Sequence, residues 1–254
     1  MNTVQICILV ISTLLASFIK GGMGMGAGIF LLPTLALVFT PFTALALSAP
    51  ILFFTDIMSL IYYWREWMKG PIFLKLLIFS AIGAVLGVAI LPYVPVSALK
   101  ILVGMIGVIY GVGKLFPSFF PIKRLRASLP AAKAGRGPLT LYVYPLTGGL
   151  INSLANAGGI FFVMCLMALG LEKRTFVATI LSAILITSVC KVVGYYTIGI
   201  LPFSDLKLTL ILAPLVAGGC WLGNRCNQYL NPDIFAKCIL WLILVVSVKL
   251  LLPM

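Results

Sequence analysis

The sequence contains no histidine, and its six cysteines form no C-x-x-C pair. Histidine is the commonest metal ligand and general base, so its absence removes the usual starting point for metal or acid–base chemistry. The spacings H-E-x-x-H and G-x-S-x-G are also missing. We therefore predict that the chain is not an enzyme and that it binds neither a metal nor a cofactor.

Charged residues are scarce as well: they make up 9% of the 254 residues, whereas 62% are hydrophobic and the mean hydropathy is +1.20. Soluble domains carry roughly a quarter charged residues. The composition indicates a polytopic membrane protein in which the scattered cysteines serve as small packing residues. The net charge of +13 indicates basic cytoplasmic loops rather than a nucleic-acid partner. Attraction of an anion is the alternative explanation of this charge.

Ten apolar segments can be marked along the chain. Crossing the hydrocarbon core takes about 20 helical residues, and the last three segments of each half reach that length. The first two of each half do not, so the glycine-rich break between them should lie at membrane depth. The sequence predicts an all-α membrane protein, each half holding a short broken or re-entrant helix pair and three transmembrane helices. The segments span 4–19, 27–40, 43–64, 72–92 and 97–116, then 139–154, 158–170, 175–198, 206–223 and 233–252.

The two halves resemble each other in sequence. Identities occur at a shift of 131 residues at the breaks, of 132 in the third segments and of 136 in the fourth. A shift that grows along the chain is expected when the loops of an internal duplication have gained residues. Chance identity among apolar residues is the alternative. The matches include Gly28-Ile29-Phe30 with Gly159-Ile160-Phe161, Thr43 with Thr175, Tyr63 with Tyr195, Gly83 with Gly219, and Gly87 with Gly223.

Basic residues predict the orientation. The segment 114–136 carries six Lys and Arg and no acid, and loop 65–75, two spans earlier, is also basic. The positive-inside rule places both in the cytoplasm. We expect an inner-membrane protein with both termini outside and two halves of opposite orientation, the inverted-repeat plan of many secondary transporters. The predicted units are a first repeat (1–116), a cytoplasmic linker (117–138), an inverted second repeat (139–254), and further cytoplasmic loops at 171–174 and 224–232.

Each break leaves backbone N–H and C=O groups that must find partners inside the protein or on a ligand. The helix after a break points its N-terminal amides, with their partial positive charge, toward that break, which favours an anion. The alternative is that the glycines only allow close helix packing. The predicted substrate-binding residues are Gly21, Gly22, Gly24 and Gly26 of the first break, Asn152, Ser153, Asn156, Gly158 and Gly159 of the second, and Lys191.

A polar stripe follows the long third segment of each half, and its charged members lie far from the segment ends. Charges at such depth usually face a cavity or a partner. We predict that Lys191 helps to hold an anion and that Asp56 accepts a proton; a purely structural ion pair is the alternative. Lys20, opposite Ile151 in the repeat, reaches the site if the first segment is a half-helix and snorkels to the interface if it spans. The predicted pathway residues are Lys20, Asp56, Ser59 and Tyr63, with Thr187 and Tyr195 beside Ser188 and Lys191 in the second half.

With these features the chain resembles the TauE/SafE family of sulfite exporters and related anion transporters. The resemblance covers nearly the whole chain, although Met23 and Met25 separate the glycines of the first break and Asn156-Ala157 stands where the family usually has more glycine. It implies a proton-linked or other secondary mechanism for small sulfur-containing anions. The motifs are Gly21-Gly-Met-Gly-Met-Gly-Ala-Gly28 with Pro33, Asn156-Ala-Gly-Gly159, Thr175-x-x-Ala178-Thr179 and Tyr195-Tyr196-x-x-Gly199.

We therefore expect a secondary transporter, an exporter of a small anion such as sulfite or sulfoacetate, which is bound at the midplane between the two breaks. Its expected partners are this anion, the lipid bilayer and protons as the coupling ion. A passive anion channel with the same site is the alternative. Transport against a concentration gradient, driven by pH, would separate the two.

Overall fold

A computed structural model describes residues 2–24, 26–116, 138–167, 169–229 and 232–252. These residues form an all-α bundle, as the sequence predicts, and contain no strand. One 3₁₀ turn, Leu91–Tyr93, extends the fourth helix. The helices are α1 (Thr3–Met23), α2 (Ala27–Ala36), α3 (Pro41–Ile61), α4 (Pro71–Ile90), α5 (Val96–Leu115), α6 (Pro138–Ala155), α7 (Gly159–Met167), α8 (Lys173–Thr197), α9 (Phe203–Tyr229) and α10 (Pro232–Leu251).

Each of the ten predicted apolar segments coincides with one helix. Within the described ranges, six helices are long and apolar enough to cross a membrane: α1, α3, α4, α5, α8 and α9. The second helix of each half is short, with 10 residues in α2 and nine in α7. Most of the predicted linker 117–138 and Met25 of the first break lie outside the described residues.

The predicted ends of two helices, α1 and α9, are wrong. The glycines at 21 and 22 do not end α1, which runs for 21 residues to Met23 and thus has a spanning length. Both glycines lie where α1 touches α9: a Cβ at Gly21 would collide with the Cys220 carbonyl, and one at Gly223 would lie 2.9 Å from the Gly22 amide nitrogen. Close packing by residues without a side chain outweighs their poor helix propensity here.

The second wrong bound is at the end of α9. The loop predicted at 224–232 begins later, because α9 continues through Arg225 to Tyr229. The polar residues from position 224 onward raise the charge of the segment, but they do not remove its helix-forming capacity. Hydropathy therefore located the membrane-spanning part of α9 and missed its polar last turn.

For the first, third, fourth and fifth helices, the main pairing is the same when the two halves are exchanged. The first helix of each half packs on the fourth helix of the other, α1 on α9 and α4 on α6. The third helices, α3 and α8, pack on each other, and so do the fifth helices, α5 and α10. α2, apolar all round, is buried among α1, α3, α5 and α10. Its counterpart α7 packs mainly on α6 and α8, so the symmetry expected of two copies of one unit holds for the other helices and not for this pair.

Equivalent helices run antiparallel where they touch. Ser188 of α8 bonds to Asp56 of α3, and the Met68 amide just beyond α3 bonds to Thr179 near the start of α8. On α5 and α10, Gly104 lies against Leu251, whereas Gly111 lies against Leu244. In both pairs the residue number rises on one helix as it falls on the other.

Neighbouring glycines of α9 allow a direct test of its packing on α1. A Cβ added at Gly219 would lie 2.7 Å from Ser17 Cβ and 3.0 Å from the Leu14 carbonyl oxygen, whereas one at Gly218 would meet nothing within 4 Å. We expect Gly219→Ala to lower the free energy of unfolding by about 1–3 kcal/mol through overpacking. Gly218→Ala should be neutral or stabilising by up to about 1 kcal/mol. Thermal unfolding in detergent measures both, and equal melting temperatures would contradict this packing.

Candidate functional site

The first break separates α1 from α2. α1 ends at Gly24, whose φ of 72° is left-handed and whose amide donates to the Lys20 carbonyl. Gly26 is also left-handed, with a φ of 92°. The first helical hydrogen bond of α2 runs from the Phe30 amide to the Gly26 carbonyl. The amides of residues 27–29 therefore precede the helical bonding pattern and carry the positive end of the helix dipole.

The second break separates α6 from α7 in the same way. The Asn156 amide donates to the Asn152 carbonyl, and Asn156 has a left-handed φ of 53°. Such a backbone is uncommon outside glycine, although asparagine tolerates it best. α7 begins at Gly159, and its first bonds return to Ala157 and Gly158. Gly24 and Asn156 thus end the first helix of their halves with the same hydrogen bond.

This shared ending changes the alignment of the two halves at the breaks. Gly24 and Asn156 are 132 residues apart, the shift already found for the third helices. The structural counterpart of Lys20 is therefore Asn152 rather than Ile151. Both side chains extend from the last turn of a first helix to the third helix of the same half: Lys20 contacts Asp56, and Asn152 donates to Thr187 at 2.7 Å.

The two breaks touch each other. A Cβ added at Gly28, in the first turn of α2, would lie 2.5 Å from the Asn156 carbonyl oxygen and 2.8 Å from the Asn156 Cβ. Only a glycine fits at this distance. The start of α2 and the end of α6 therefore meet inside the bundle, although they come from different halves of the chain.

The Asn156 side chain bridges two helices. Its Nδ2 donates to Ser48 Oγ on α3 at 2.9 Å, and its Oδ1 accepts from Lys191 Nζ on α8 at 2.5 Å. Because a lysine can only donate, this contact fixes which end of the amide faces it. Ser48 was not predicted as a site residue. It lies eight residues before Asp56, so extending the polar stripe of α3 by two turns would have found it.

Asp56 forms the second polar connection between the halves. Its Oδ1 lies 2.7 Å from Lys20 Nζ, and its Oδ2 accepts from Ser188 Oγ at 2.6 Å. Asp56 Oδ1 makes no directed hydrogen bond, so the contact with Lys20 depends on charge more than on alignment. Asp56 and Ser188 are equivalent positions at the shift of 132. The third helices thus cross at equivalent residues.

Lys20 combines features of the two predicted alternatives, a half-helix whose lysine reaches the site and a spanning helix whose lysine snorkels to the interface. α1 has a spanning length, yet Lys20 is only 4% exposed and reaches Asp56 instead of snorkelling. Asp56 and Lys191 do not form an ion pair with each other: Asp56 pairs with Lys20, and Lys191 donates to the neutral Asn156. We call Lys20, Ser48, Asp56, Asn156, Ser188 and Lys191 the buried cluster.

Some of the other predicted residues lie at the second break, and others lie away from the cluster. The Ser153 hydroxyl donates to the Ala84 carbonyl, and the Ser153 carbonyl accepts from the Tyr195 hydroxyl. Gly158 packs against Gly148 and Asn152, and Gly159 faces Ile184. Gly21 and Gly22 pack on α9 instead of lining the break, and Tyr63 lies beyond the end of α3. Ser59 is buried, and its hydroxyl has no partner among the described residues.

The buried cluster carries an excess positive charge. Among the lysine, arginine, aspartate and glutamate side chains of the described ranges, the buried ones are Lys20, Asp56 and Lys191, each at most 4% exposed. Two cations against one anion leave a net charge of +1. A buried charge without a counter-charge is costly, by several kcal/mol in real proteins. Of the two cations, Lys20 contacts Asp56, whereas Lys191 donates to the uncharged Asn156 amide.

The apolar helices and the buried polar cluster at two helix breaks define a polytopic membrane protein with an internal polar site. Over residues 9–250 the chain matches the family described as Sulfite exporter TauE/SafE, and it belongs to that family. It is thus a multi-pass member of a membrane transporter family. No curated protein and no solved structure matches the chain.

Proposed function

We propose that the chain is a secondary transporter that exports a small sulfur oxyanion or organosulfonate, such as sulfite or sulfoacetate, and binds it between the two helix breaks. The observation that carries this proposal is the buried Lys191, which donates to an uncharged amide, that of Asn156. An oxyanion at this position would supply the missing negative charge. Its oxygens would also accept hydrogen bonds from the amides at the starts of α2 and α7.

The donors around the site suit a compact oxyanion. Lys191 contributes a point charge with three N–H donors, of which one is occupied by Asn156. Gly26 and Gly159 have no side chain that would cover the neighbouring backbone amides. The Asp56 carboxylate would repel any anion held beside it, whereas an anion held on the Lys191 side of the cluster would be separated from Asp56 by Ser188. The arrangement therefore favours a ligand held near Asn156 and Lys191.

We also propose that the halves are inverted copies, residues 1–116 and 139–254, which rock against each other during transport. The antiparallel contacts between equivalent helices and the exchange-symmetric pairing support this plan. By the charge of the loops, the proposed orientation places the 65–75 loop in the cytoplasm and both termini outside an inner membrane. Asp56 is the proposed proton carrier, because its protonation would release Lys20 and raise the positive charge of the cluster.

Ligand-dependent thermal stability tests the anion site. We expect sulfite, thiosulfate or sulfoacetate to raise the melting temperature of the detergent-purified protein by about 5 °C or more at a hundredfold excess over Kd, since binding to the native state alone adds about 2.7 kcal/mol. Taurine, which also carries an ammonium group, should stabilise less. An unrelated neutral solute that stabilises when every sulfur anion fails would overturn the substrate class. Anion flux that cannot be driven against its gradient by pH would favour a passive channel.

A further inference from the structure

An open depression lies at the end of the bundle that carries the loops before α4 and α8. It has a volume of about 390 Å³ and lies between the end of α3, the start of α8 and α9. Two tyrosines, two cations and an amide give it a polar wall suited to anions. We call it the vestibule; its lining residues are Tyr62, Tyr63, Lys173, Arg174, Val177 and Asn224.

The rim of the vestibule is braced between the two halves. Arg174 at the start of α8 donates to both carboxylate oxygens of Glu66, at 2.6 and 2.8 Å. The Met68 amide donates to Thr179 Oγ1 at 3.0 Å. These contacts fasten the loop after α3 to the first turns of α8. Among the described residues, the narrowest point between the vestibule and the buried cluster therefore lies deeper than this rim.

A second, much smaller void lies below the vestibule. Its volume of about 20 Å³ is room for roughly one water molecule, and its walls are apolar. The void reaches Met23 and Gly24 at the first break, and Val177 belongs to the walls of both cavities. A Cβ at Gly24 would lie 3.7 Å from Val177 Cγ1. Val177 thus stands between the vestibule and the first break.

One face of α8 continues from this point to the buried cluster. Residues spaced by four and three positions share a helical face. Such a series runs from Val177 along α8, first past the wall of the small void and then past the start of α7. It continues to the residue that contacts Asp56 and ends at the residue that contacts Asn156, about 21 Å along the helix axis from Val177. The series is Val177, Leu181, Ile184, Ser188 and Lys191.

The polar face of α3 covers the same interval. Tyr63 lines the vestibule, Asp56 belongs to the buried cluster, and Ser59 lies between them on the same face. The Ser59 hydroxyl is buried and has no hydrogen-bond partner in the described part of the chain. A buried hydroxyl usually finds a protein or water partner. Its position fits a path that water or an anion enters in another state of the transporter.

We propose that the vestibule is the mouth through which the anion passes to or from the buried cluster, and that Val177, packed against Met23–Gly24, closes the path at its narrowest point. This inference rests on the proposed function. The vestibule collects the anion with Lys173 and its polar wall, and the passage past Val177 leads to Gly24, Lys20 and Asp56. Val177 sets the rate of passage without contributing to the affinity of the site.

A bulky side chain at this point tests the proposal. We expect Val177→Trp to slow sulfoacetate or sulfite flux in vesicles at least tenfold, while the equilibrium Kd from thermal stabilisation stays within about twofold. The matched control is Val193→Trp on the same helix, which is 57% exposed and should leave flux unchanged. Flux through Val177→Trp equal to wild type, or a Kd raised as much as the flux is lowered, would overturn the proposal.

Side-specific labelling provides a test that does not depend on the transported substrate or on a folded tryptophan variant. Val177→Cys should react with the anionic thiol reagent methanethiosulfonate ethylsulfonate from the same membrane side as Glu172→Cys, which is exposed beside the vestibule, and not from the other side. The wild type, with its six cysteines, gives the background. Reaction of Val177→Cys from the opposite side, or none while Glu172→Cys reacts, would overturn the proposed path. If Val177→Cys is labelled as expected but the protein transports no sulfur anion, the proposed path is supported and the proposed function is wrong.

Discussion

Lys191→Met should abolish anion binding while the protein remains folded. Truncating one partner of a buried, hydrogen-bonded charge pair costs about 2–5 kcal/mol of binding free energy. At about 1.4 kcal/mol per factor of ten, this is a loss of affinity of roughly 30-fold to several-thousand-fold. Methionine is similar in length to the lysine stem, so it fills the same space between α8 and the second break.

The effect on stability distinguishes this role from a structural one. Lys191 forms no ion pair in the described ranges, so its removal leaves no buried carboxylate behind. Removing a buried charge that has no counter-charge also removes its desolvation cost of several kcal/mol, while the buried Asn156 Oδ1 loses its donor at a cost of about 1–3 kcal/mol. Because these effects oppose each other, we expect the ligand-free melting temperature of Lys191→Met to be close to that of wild type. The stabilisation by sulfur anions should be lost.

Two further variants make the measurement specific. Lys207→Met removes a lysine that is exposed on α9 beside Phe203, so its anion-dependent stabilisation should match that of wild type. Lys191→Arg keeps the charge in a larger planar group, and we expect weakened rather than abolished binding. Anion-dependent stabilisation of Lys191→Met at wild-type concentrations would exclude Lys191 from the site.

The sequence predicted the helices and the breaks because both follow from local chemistry. Long apolar runs determine α3, α4 and α5, and the glycines and Asn156 determine where the chain leaves the helix. It could not predict that α1 continues through Gly21 and Gly22. Glycine in a packed helix contact and glycine in a break have the same local signal, and only the approach of α9 separates them.

The polar partners also depended on tertiary structure. The stripes on the third helices predicted that Asp56 and Lys191 face the interior, and both do. Their partners, Lys20 in the last turn of α1 and Asn156 in the second break, lie more than thirty residues away along the chain. Periodicity along one helix contains no information on which residue of another helix lies opposite. The same limit hid Val177, an ordinary valine by sequence whose position between two cavities is visible only in the folded chain.

The pair Lys20–Asp56 can be tested by removing its members one at a time and together. Asp56→Asn leaves Lys20 buried without a counter-charge, and Lys20→Met leaves Asp56 with Ser188 alone. Breaking one side of a buried ion pair costs about 3–5 kcal/mol. We expect each single variant to lose about that much stability. The double variant Lys20→Met/Asp56→Asn should regain most of it, since both charges are then gone.

The exposed pair Glu66–Arg174 is the control for this cycle. Its members lie in solvent, where ion pairs contribute little. Glu66→Gln, Arg174→Gln and their double variant should therefore change the melting temperature far less than the corresponding changes at Lys20 and Asp56. If the coupling free energy between Lys20 and Asp56 is no larger than that between Glu66 and Arg174, the buried ion pair contributes little to the stability of the protein.

Transport by the double variant decides between a coupling pair and a structural pair. If Asp56 carries the proton, Lys20→Met/Asp56→Asn folds and binds the anion through Lys191, but a pH gradient no longer drives accumulation. If the pair only holds α1 to α3, the double variant accumulates the anion with the same pH dependence as wild type, and the proposed role of Asp56 is wrong. We expect the first result, because Asp56 is the one buried carboxylate in the described ranges and Ser188 connects it to the helix that carries Lys191. Flux in vesicles with and without an imposed pH gradient measures the difference.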